Sequence, residues 1–219
     1  MIYRGKMKTV RIQAECYGSN CWVIIDEESG EYVLIDPSPT GEAFLDFVEK
    51  RGLAKEKLKY ILLTHGHFDH IMGADEIRAI TGAPLAVHEA DADCLTDPDK
   101  NAYKYFFRFE LVMQKAEIVL RDGDVLFLGK HEIKVKSTPG HTKGSVCYFI
   151  GDAIYTGDTL FDRSIGRTDL YGGSMALLEE SLRWLISLDR DYQIYPGHGS
   201  VSTLYKQIKF NPYLYGGNL

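Results

Sequence analysis

The sequence has few cysteines, no long apolar run and no block of basic residues, and each lack excludes a class of protein. Its four cysteines show no CxxC spacing, which argues against a thiolate zinc site or a paired redox motif. No window approaches the ~18 consecutive apolar residues of a membrane-spanning helix, so we expect no membrane association. The net charge of −6 and the scattered lysines and arginines exclude a typical nucleic-acid-binding surface.

The N-terminal segment also lacks the features of a secretory leader. Residues 1–16 contain neither a continuous apolar core nor a small-residue cleavage site. We therefore expect a cytoplasmic protein with reduced cysteines, and a pairing of Cys16 with Cys21 across a hairpin is the alternative.

The chain does have the composition of an ordinary globular protein. Of its 219 residues, 45% are hydrophobic and 26% are charged, which suffices for one sizeable core. We predict a single domain over 1–219.

Hydrophobic periodicity predicts strands and then helices in each half of the chain. The first half contains an antiparallel meander (KTVRIQAE, NCWVIIDE, EYVLID), two further strands (LKYILLT, APLAVH) and helices ending before Gly52 and covering Ala74–Ile80. The second half contains a second sheet (EIVL, DVLFL, HEIKVKST, SVCYFI, AIYT), a helix over Met175–Leu188 and the strand YQIY. This order predicts an α/β fold, a four-layer αβ/βα sandwich with two sheets packed between helices.

Residues 100–115 are rich in aromatic side chains. Helical spacing would place four apolar residues on one face, which predicts a helix that packs on the core: Tyr103, Phe106, Phe107 and Leu111. A substrate-binding aromatic wall is the alternative, and the pattern does not decide whether 96–115 forms a lid.

Three of the seven histidines fall within the six residues HGHFDH, directly after the strand LKYILLT. His65 and His67 lie two apart in an extended segment, so both rings can point to one side and bind one ion. Asp69 and His70, where the chain turns into a helix, can serve a second ion. Histidine and carboxylate ligands without cysteine favour a catalytic metal site with an open water position.

Three further residues of ligand type follow predicted strands at glycine-marked turns. His141 follows HEIKVKST through Pro-Gly, Asp158 follows AIYT through Gly157, and His198 follows YQIY through Pro-Gly. Each alone could be a turn residue, but four strand ends of one kind indicate a shared metal site.

These motifs resemble the metallo-β-lactamase superfamily. The resemblance is carried, in chain order, by HGHFDH (65–70), TPGHTKGS (138–145), YTGDTLF (155–161) and YPGHG (195–199), and it extends to about Pro212. The segment IGRTDLYGGS (165–174) is similar to the short single-domain members of the glyoxalase-II-like, or hydroxyacylglutathione-hydrolase-like, branch. The resemblance implies that His65, His67 and His141 bind a first metal, that Asp69, His70 and His198 bind a second, and that Asp158 bridges both. His88 and His131 match no ligand position.

The resemblance also implies a dinuclear-metal-dependent hydrolase of hydroxyacylglutathione-type or related acyl thioesters. Two divalent ions, zinc by expectation with iron or manganese as alternatives, would form a bridging hydroxide near neutral pH that attacks the carbonyl carbon. Asp69 would orient the water or accept its proton, which makes it the candidate catalytic residue. Arg167 and Lys143 are candidates for binding an anionic substrate, with a solvated surface charge as the alternative for each.

The main alternative is a persulfide dioxygenase, which shares the fold but uses one iron; YPGHG and the complete two-metal set favour hydrolysis. Only residues 199–219 follow His198, so we do not expect the helical domain that supplies glutathione-binding residues in full-length glyoxalase II enzymes. Glutathione recognition and oligomeric state stay open, and a small-molecule thioester is the expected partner. Gln207 stands where the short members would have an acidic residue.

Overall fold

A computed structural model describes residues 7–13 and 18–214 of the chain. Over these residues the first of two six-stranded sheets has its strands in chain order. They are β1 (Met7–Gln13), β2 (Asn20–Asp26), β3 (Tyr32–Ile35), β4 (Leu58–Leu62), β5 (Leu85–His88) and β6 (Ile118–Leu120). The predicted antiparallel meander is confirmed for β1 to β3, while β3 to β6 pair in parallel.

The second sheet is mostly antiparallel. Its strands include β7 (Val125–Leu128), β8 (His131–Ser137), β9 (Val146–Ile150) and β10 (Ala153–Gly157). A hairpin of β11 (Leu160–Phe161) and β12 (Ser164–Ile165) stands apart, and β13 (Gln193–Pro196) and β14 (Ser202–Thr203) complete the sheet. The spatial order is β14-β13-β10-β9-β8-β7, with β10 and β13 parallel.

Helices cover the outer faces of both sheets. Those of the first half are α1 (Gly41–Arg51), α2 (Phe68–Ile71) and α3 (Ala74–Thr81), and those of the second are α4 (Met175–Ile186) and α5 (Leu204–Phe210). Side chains cap the ends where unpaired backbone N–H groups would otherwise remain: the Thr40 hydroxyl accepts from Ala43 N–H and the Ser174 hydroxyl from Leu177 N–H. The predicted helices before Gly52, at Ala74 and at Met175 are therefore confirmed.

Successive side chains along a strand point to opposite faces of its sheet, and the buried apolar side chains form three cores. Trp22, Ile24 and Val33 point between the sheets, where they meet Val135 and Tyr148. The opposite face of the first sheet packs on α1 and α3, and the outer face of the second sheet packs on α4 and α5. The predicted four-layer sandwich is confirmed.

The assignment of EIVL to the second sheet is wrong. Its strand β6 pairs in parallel with β5 at the edge of the first sheet. The long connection after β5 brings the chain back to the edge of that sheet beside β5, and the chain crosses to the second sheet only at the turn 121–124. A three-residue strand carries no pattern that distinguishes the two sheets.

The predicted helix over 100–115 is also wrong. Only Tyr103–Tyr105 forms a single 3-10 turn there. Local hydrogen bonds compete with the helix: the Asn101 side chain accepts from Tyr103 N–H and donates to the Leu111 carbonyl, which closes the segment into a loop. Ala102 is left-handed with φ 64°, which a continuous helix could not accommodate.

The described residues contain no helix long and apolar enough to cross a membrane. Cys21, Cys94 and Cys147 are buried free thiols. Cys16, and with it the alternative pairing to Cys21, lies outside the described residues.

Candidate metal centre

The site lies where strands of both sheets end beside one another. β4 leads into the loop of His65 and His67, and β10 and β13 lead directly to Asp158 and His198. Backbone hydrogen bonds join these strand ends: Gly197 N–H donates to Gly157 O at 2.8 Å, and Val146 N–H donates to Thr64 O at 2.8 Å. The four sequence motifs therefore converge on one edge of the sandwich.

The first ligand group consists of His65, His67 and His141. One ring nitrogen from each lies within 4.8 Å of the others, and all three side chains are buried. His67 Nδ1 is 2.8 Å from His141 Nε2. Three imidazoles converging in this way match a three-histidine metal site with an open position.

The second group consists of Asp69, His70 and His198, whose ligand atoms also lie within 4.8 Å of one another. Asp158 stands between the two groups. Its carboxylate oxygens are 3.5 Å from His70 Nε2, 3.6 Å from His198 Nε2 and 3.6 Å from His141 Nε2. The structure thus brings all seven predicted ligand residues together, with Asp158 placed where one carboxylate reaches both groups.

Hydrogen bonds fix which ring nitrogens are free. The Thr64 hydroxyl donates to Asp36 Oδ2, so it accepts from His65 Nδ1–H at 3.1 Å and leaves His65 Nε2 with a lone pair. His141 Nδ1–H donates to the Arg167 carbonyl at 2.7 Å. His70 Nδ1–H donates to Asp36 Oδ2 at 3.0 Å. Partners of this kind orient histidines that bind metals.

Burial and neighbouring charges set the protonation of the cluster. Burial and the surrounding histidines hold the pKa values of His65 and His67 well below their usual range, so both rings are neutral and can act as ligands. Burial opposes the charged form of His70, but Asp69, Asp158 and Asp36 outweigh it and raise its pKa to about 10 in the absence of an ion. A bound divalent cation would displace that proton, because a histidine binds metal in its neutral form. Burial likewise opposes ionisation of Asp69, but His70 and His198 hold its pKa well below the usual range.

Buried polar atoms show that the residues fit a cation. Within the described residues, His65 Nε2 and Asp158 Oδ1 are shielded from solvent and have no hydrogen-bond partner. Orphaned atoms of this kind are rare because each carries a desolvation cost. Since both atoms are of the type that binds metals and lie in a cluster of histidines and carboxylates, divalent ions would satisfy them.

The sequence pattern does not predict Asp36, which connects the two ligand groups. Its carboxylate accepts from Thr64 N–H at 2.8 Å and from His70, and the residue is left-handed with φ 56°. A signal exists, because Asp36 directly follows the strand EYVLID. No glycine marks the turn after Asp36, since Pro37 follows.

The two predicted substrate-binding residues lie at the rim of the site. The Arg167 guanidinium forms two hydrogen bonds to Asp169, at 2.7 and 2.8 Å, and the side chain is about half exposed. Lys143 Nζ is 5.6 Å from the centroid of the Tyr171 ring. Both residues adjoin His141, through the Arg167 carbonyl and through the chain itself.

The remaining histidines lie outside the cluster. His88 caps the 3-10 segment Glu89–Leu95 by accepting from Ala90 N–H, and its Nε2 pairs with the Ser137 hydroxyl at 2.9 Å. His131 Nε2 is 3.9 Å from Asp26. Neither approaches the two ligand groups.

Comparison with known proteins agrees with this geometry. Hydroxyacylglutathione hydrolase GloC of Haemophilus influenzae is 30% identical over 207 residues, covering 93% of this chain and 96% of GloC. The crystal structure of BLEG-1 B3 metallo-beta-lactamase is 31% identical, with a TM-score of 0.88 over 96% of this chain and 100% of BLEG-1. TTHA1623, solved in a di-iron-bound form, is 30% identical, with a TM-score of 0.79 over 94% of this chain and 100% of TTHA1623. The family model of the metallo-beta-lactamase superfamily matches residues 14–198, and the chain belongs to that superfamily.

Proposed function

We propose that this metal-dependent hydrolase cleaves acyl thioesters and holds two divalent ions to do so. The observation that carries the proposal is the position of Asp158, within 3.6 Å of a ligand nitrogen of both histidine groups. A carboxylate so placed could contribute a ligand oxygen to an ion in each group. His65, His67 and His141 would hold the first ion, and Asp69, His70 and His198 the second.

Support for the two ions comes from the chain and from a relative. His65, His67 and His141 form one candidate ligand group, Asp69, His70 and His198 form another, and Asp158 lies within 3.6 Å of both. TTHA1623, at 30% identity, was solved in a di-iron-bound form. Zinc is the proposed metal because histidine and carboxylate ligands suit it, with iron or manganese as the alternatives. When bound, the ions would supply Lewis acidity toward water and toward a carbonyl oxygen.

Asp69 is the residue proposed to act on the attacking water. Its carboxylate lies 3.2 Å from His198 Nε2, and its low pKa keeps it ionised at neutral pH. An ionised carboxylate accepts a hydrogen bond from water and so orients an oxygen lone pair toward the carbonyl carbon. Because its pKa is low, Asp69 orients the water more effectively than it retains a proton.

The proposal of a thioester rests on the leaving group and on GloC. A thiolate is stable near neutral pH, since a free thiol has a pKa of about 8.5, and its departure needs little help from a general acid. Among the described residues, Lys143 has no carboxylate partner, and its ammonium group at the rim suits an anionic substrate. GloC is similar to this chain over nearly its whole length.

A panel of four substrates tests the proposal on protein whose metal content has been measured. The panel contains an acyl-glutathione thioester, an acyl-coenzyme A thioester, a β-lactam and glutathione persulfide, the last followed by oxygen uptake. We expect hydrolysis of at least one thioester at a kcat/KM at least 100-fold above that for the β-lactam. Oxygen uptake on the persulfide with one iron per chain and no thioester turnover would instead establish the dioxygenase, and efficient β-lactam cleavage alone would also reject the proposal.

A further inference from the structure

We infer that Asp91 is the positioning residue of the first ligand group, because its carboxylate fixes the segment of His65 and His67 against the loop of His141. The inference rests on the proposed metal site but not on the proposed substrate. Asp91 lies in the 3-10 segment Glu89–Leu95, is 1% exposed, and is not among the residues that would hold an ion.

The Asp91 carboxylate accepts hydrogen bonds from both ligand-bearing loops. Oδ2 accepts from Gly66 N–H at 2.9 Å, and Gly66 is the residue between His65 and His67. The same oxygen accepts from the Thr142 hydroxyl at 2.7 Å, and Oδ1 accepts from Gly144 N–H at 2.8 Å. One buried side chain therefore joins two loops that are distant in the chain. Gly66 lies 25 residues before Asp91, and Thr142 and Gly144 lie 51 and 53 residues after it.

The backbone approaches this segment so closely that the two loops have little room to shift. A Cβ at Gly66 would lie 2.4 Å from Cys94 Cβ, and a Cβ at Gly144 would lie 2.6 Å from Asp91 Cβ. Glycine is required at both positions by this contact. The close contact makes the positions of His65, His67 and His141 depend on the 3-10 segment beneath them.

The site needs a carboxylate rather than an amide. All three partners donate, and a carboxylate offers two accepting oxygens. In an Asn side chain of the same shape, the NH₂ group would face a backbone N–H, which removes an acceptor and places two donors in contact. We expect the loops to separate at that point, and with them His67 and His141, whose ring nitrogens are 2.8 Å apart.

The second ligand group is fixed by other contacts. Asp36 orients His70, and Asn20 N–H donates to the carbonyl of Gly197, next to His198, at 2.7 Å. Loss of the Asp91 carboxylate should therefore weaken the first ion more than the second.

The test is Asp91→Asn, with metal content and affinity measured in the absence of substrate. Loss of a group that bonds and orients a metal ligand directly weakens metal binding about 10–100-fold. Asp91 acts through Gly66 and Thr142, the chain neighbours of the ligands, so we expect an effect within or below this range. We expect the wild type to retain two ions per chain after dialysis and the variant to retain about one. In the cobalt-substituted protein, the visible absorption of one ion should weaken or shift while that of the other persists. Asp93→Asn is the matched control, because Asp93 lies in the same segment but pairs at the surface with Lys100, and it should retain both ions.

Thr142→Val and Thr142→Ser separate positioning from general stability. Valine keeps the volume but removes one donor to Asp91, so the affinity for one ion should fall less than in Asp91→Asn, and serine should restore it. If Asp91→Asn does not fold, the two Thr142 variants test the positioning role of Asp91. The inference would be overturned if Asp91→Asn bound metal with wild-type affinity and gave an unchanged cobalt spectrum. If Asp91→Asn does not fold, the same result in Thr142→Val would overturn it. A wild type that binds no ion would also overturn it. A wild type with two ions but no thioester turnover would reject the proposed function and leave the inference standing.

Discussion

His67 and His141 are 74 residues apart in the chain, yet their Nδ1 and Nε2 atoms lie 2.8 Å apart at the centre of the site. Because His141 Nδ1–H donates to the Arg167 carbonyl, its Nε2 presents a lone pair to His67. A divalent ion between them would take both nitrogens as ligands. Through this pair the two sheets contribute to one site, since His67 follows β4 of the first sheet and His141 follows β8 of the second.

His141→Ala should lower thioester kcat/KM by about 100-fold or more, because it removes a proposed ligand of the first ion and leaves His67 without its neighbour. His131→Ala is the control, since His131 lies on β8 outside the cluster and should leave turnover within about twofold of wild type. The measurement is steady-state kinetics with metal analysis of both variants. Equal turnover in the two variants would show that His141 is not a ligand.

Asp158→Ala should abolish thioester hydrolysis and lower the retained metal, because it removes the carboxylate that lies within 3.6 Å of a ring nitrogen in each ligand group. The fold should persist, since Asp158 follows the end of β10 and its removal leaves the strand hydrogen bonds intact. Circular dichroism would establish the fold, and elemental analysis the metal content. A folded variant with wild-type turnover would exclude the bridging role.

Removing the metal should destabilise the protein as well as inactivate it. Ions that bind only the folded state stabilise it by about 2.7 kcal/mol at a free concentration of 100 times Kd. In the metal-free protein, His65 Nε2 and Asp158 Oδ1 are left buried and unpaired. We expect a chelator to lower the Tm by several degrees and added zinc to restore both Tm and activity. A Tm unaffected by the chelator, with metal shown to be removed, would contradict this expectation.

The four strand ends indicate from sequence alone which side chains the structure brings together, because a strand that ends in a His or Asp places that side chain at a sheet edge whatever the details of packing. Asp36 and Asp91 could not be found in this way. Asp36 is followed by proline, and Asp91 is one of several acids in HEADAD, so nothing local marks the one that is buried. Their importance comes from tertiary hydrogen bonds to Thr64, Gly66 and Gly144.

For the aromatic segment 100–115 the sequence pattern predicts a helix that the structure does not contain. Phe106 and Phe107 have helical spacing with Tyr103, but Asn101 closes the segment into a loop. The rings of all three contact Phe68, between two proposed ligands, at centroid distances of 5.3 to 5.7 Å. Helical spacing shows which side chains share a face only if a helix forms. Here the side-chain hydrogen bonds of Asn101 stabilise a loop instead of a helix.

Lys143→Ala should raise the KM for an anionic thioester about two- to fivefold and leave kcat nearly unchanged, because an exposed charge contributes binding of up to about 1 kcal/mol without touching the reacting atoms. The effect should shrink at high salt, which screens exposed charges. Lys130→Ala provides the control, since Lys130 is exposed and pairs with Glu28. A fall in kcat at constant KM would assign Lys143 another role.

Gln207→Glu should destabilise the fold by about 1–3 kcal/mol at neutral pH, because the buried Gln207 amide donates to Asp162 at 2.8 Å and accepts from Arg163 N–H at 2.8 Å. Burial would raise the pKa of Asp162, but donors including Gln207 hold it below its usual range, so the wild type loses this stabilisation only as pH falls through that lowered value.

In the variant, a second carboxylate faces Asp162, and its folded-state pKa should lie above the unfolded value of about 4.3. The destabilisation should therefore be largest above that raised pKa and should shrink as pH falls toward 4 and the new carboxyl is protonated. Urea unfolding at several pH values measures this difference. Gln114→Glu adds the same charge at an exposed position and should change stability by less than about 0.5 kcal/mol. A Gln207→Glu variant as stable as wild type at pH 7 would show that the Asp162 contact does not select glutamine over glutamate.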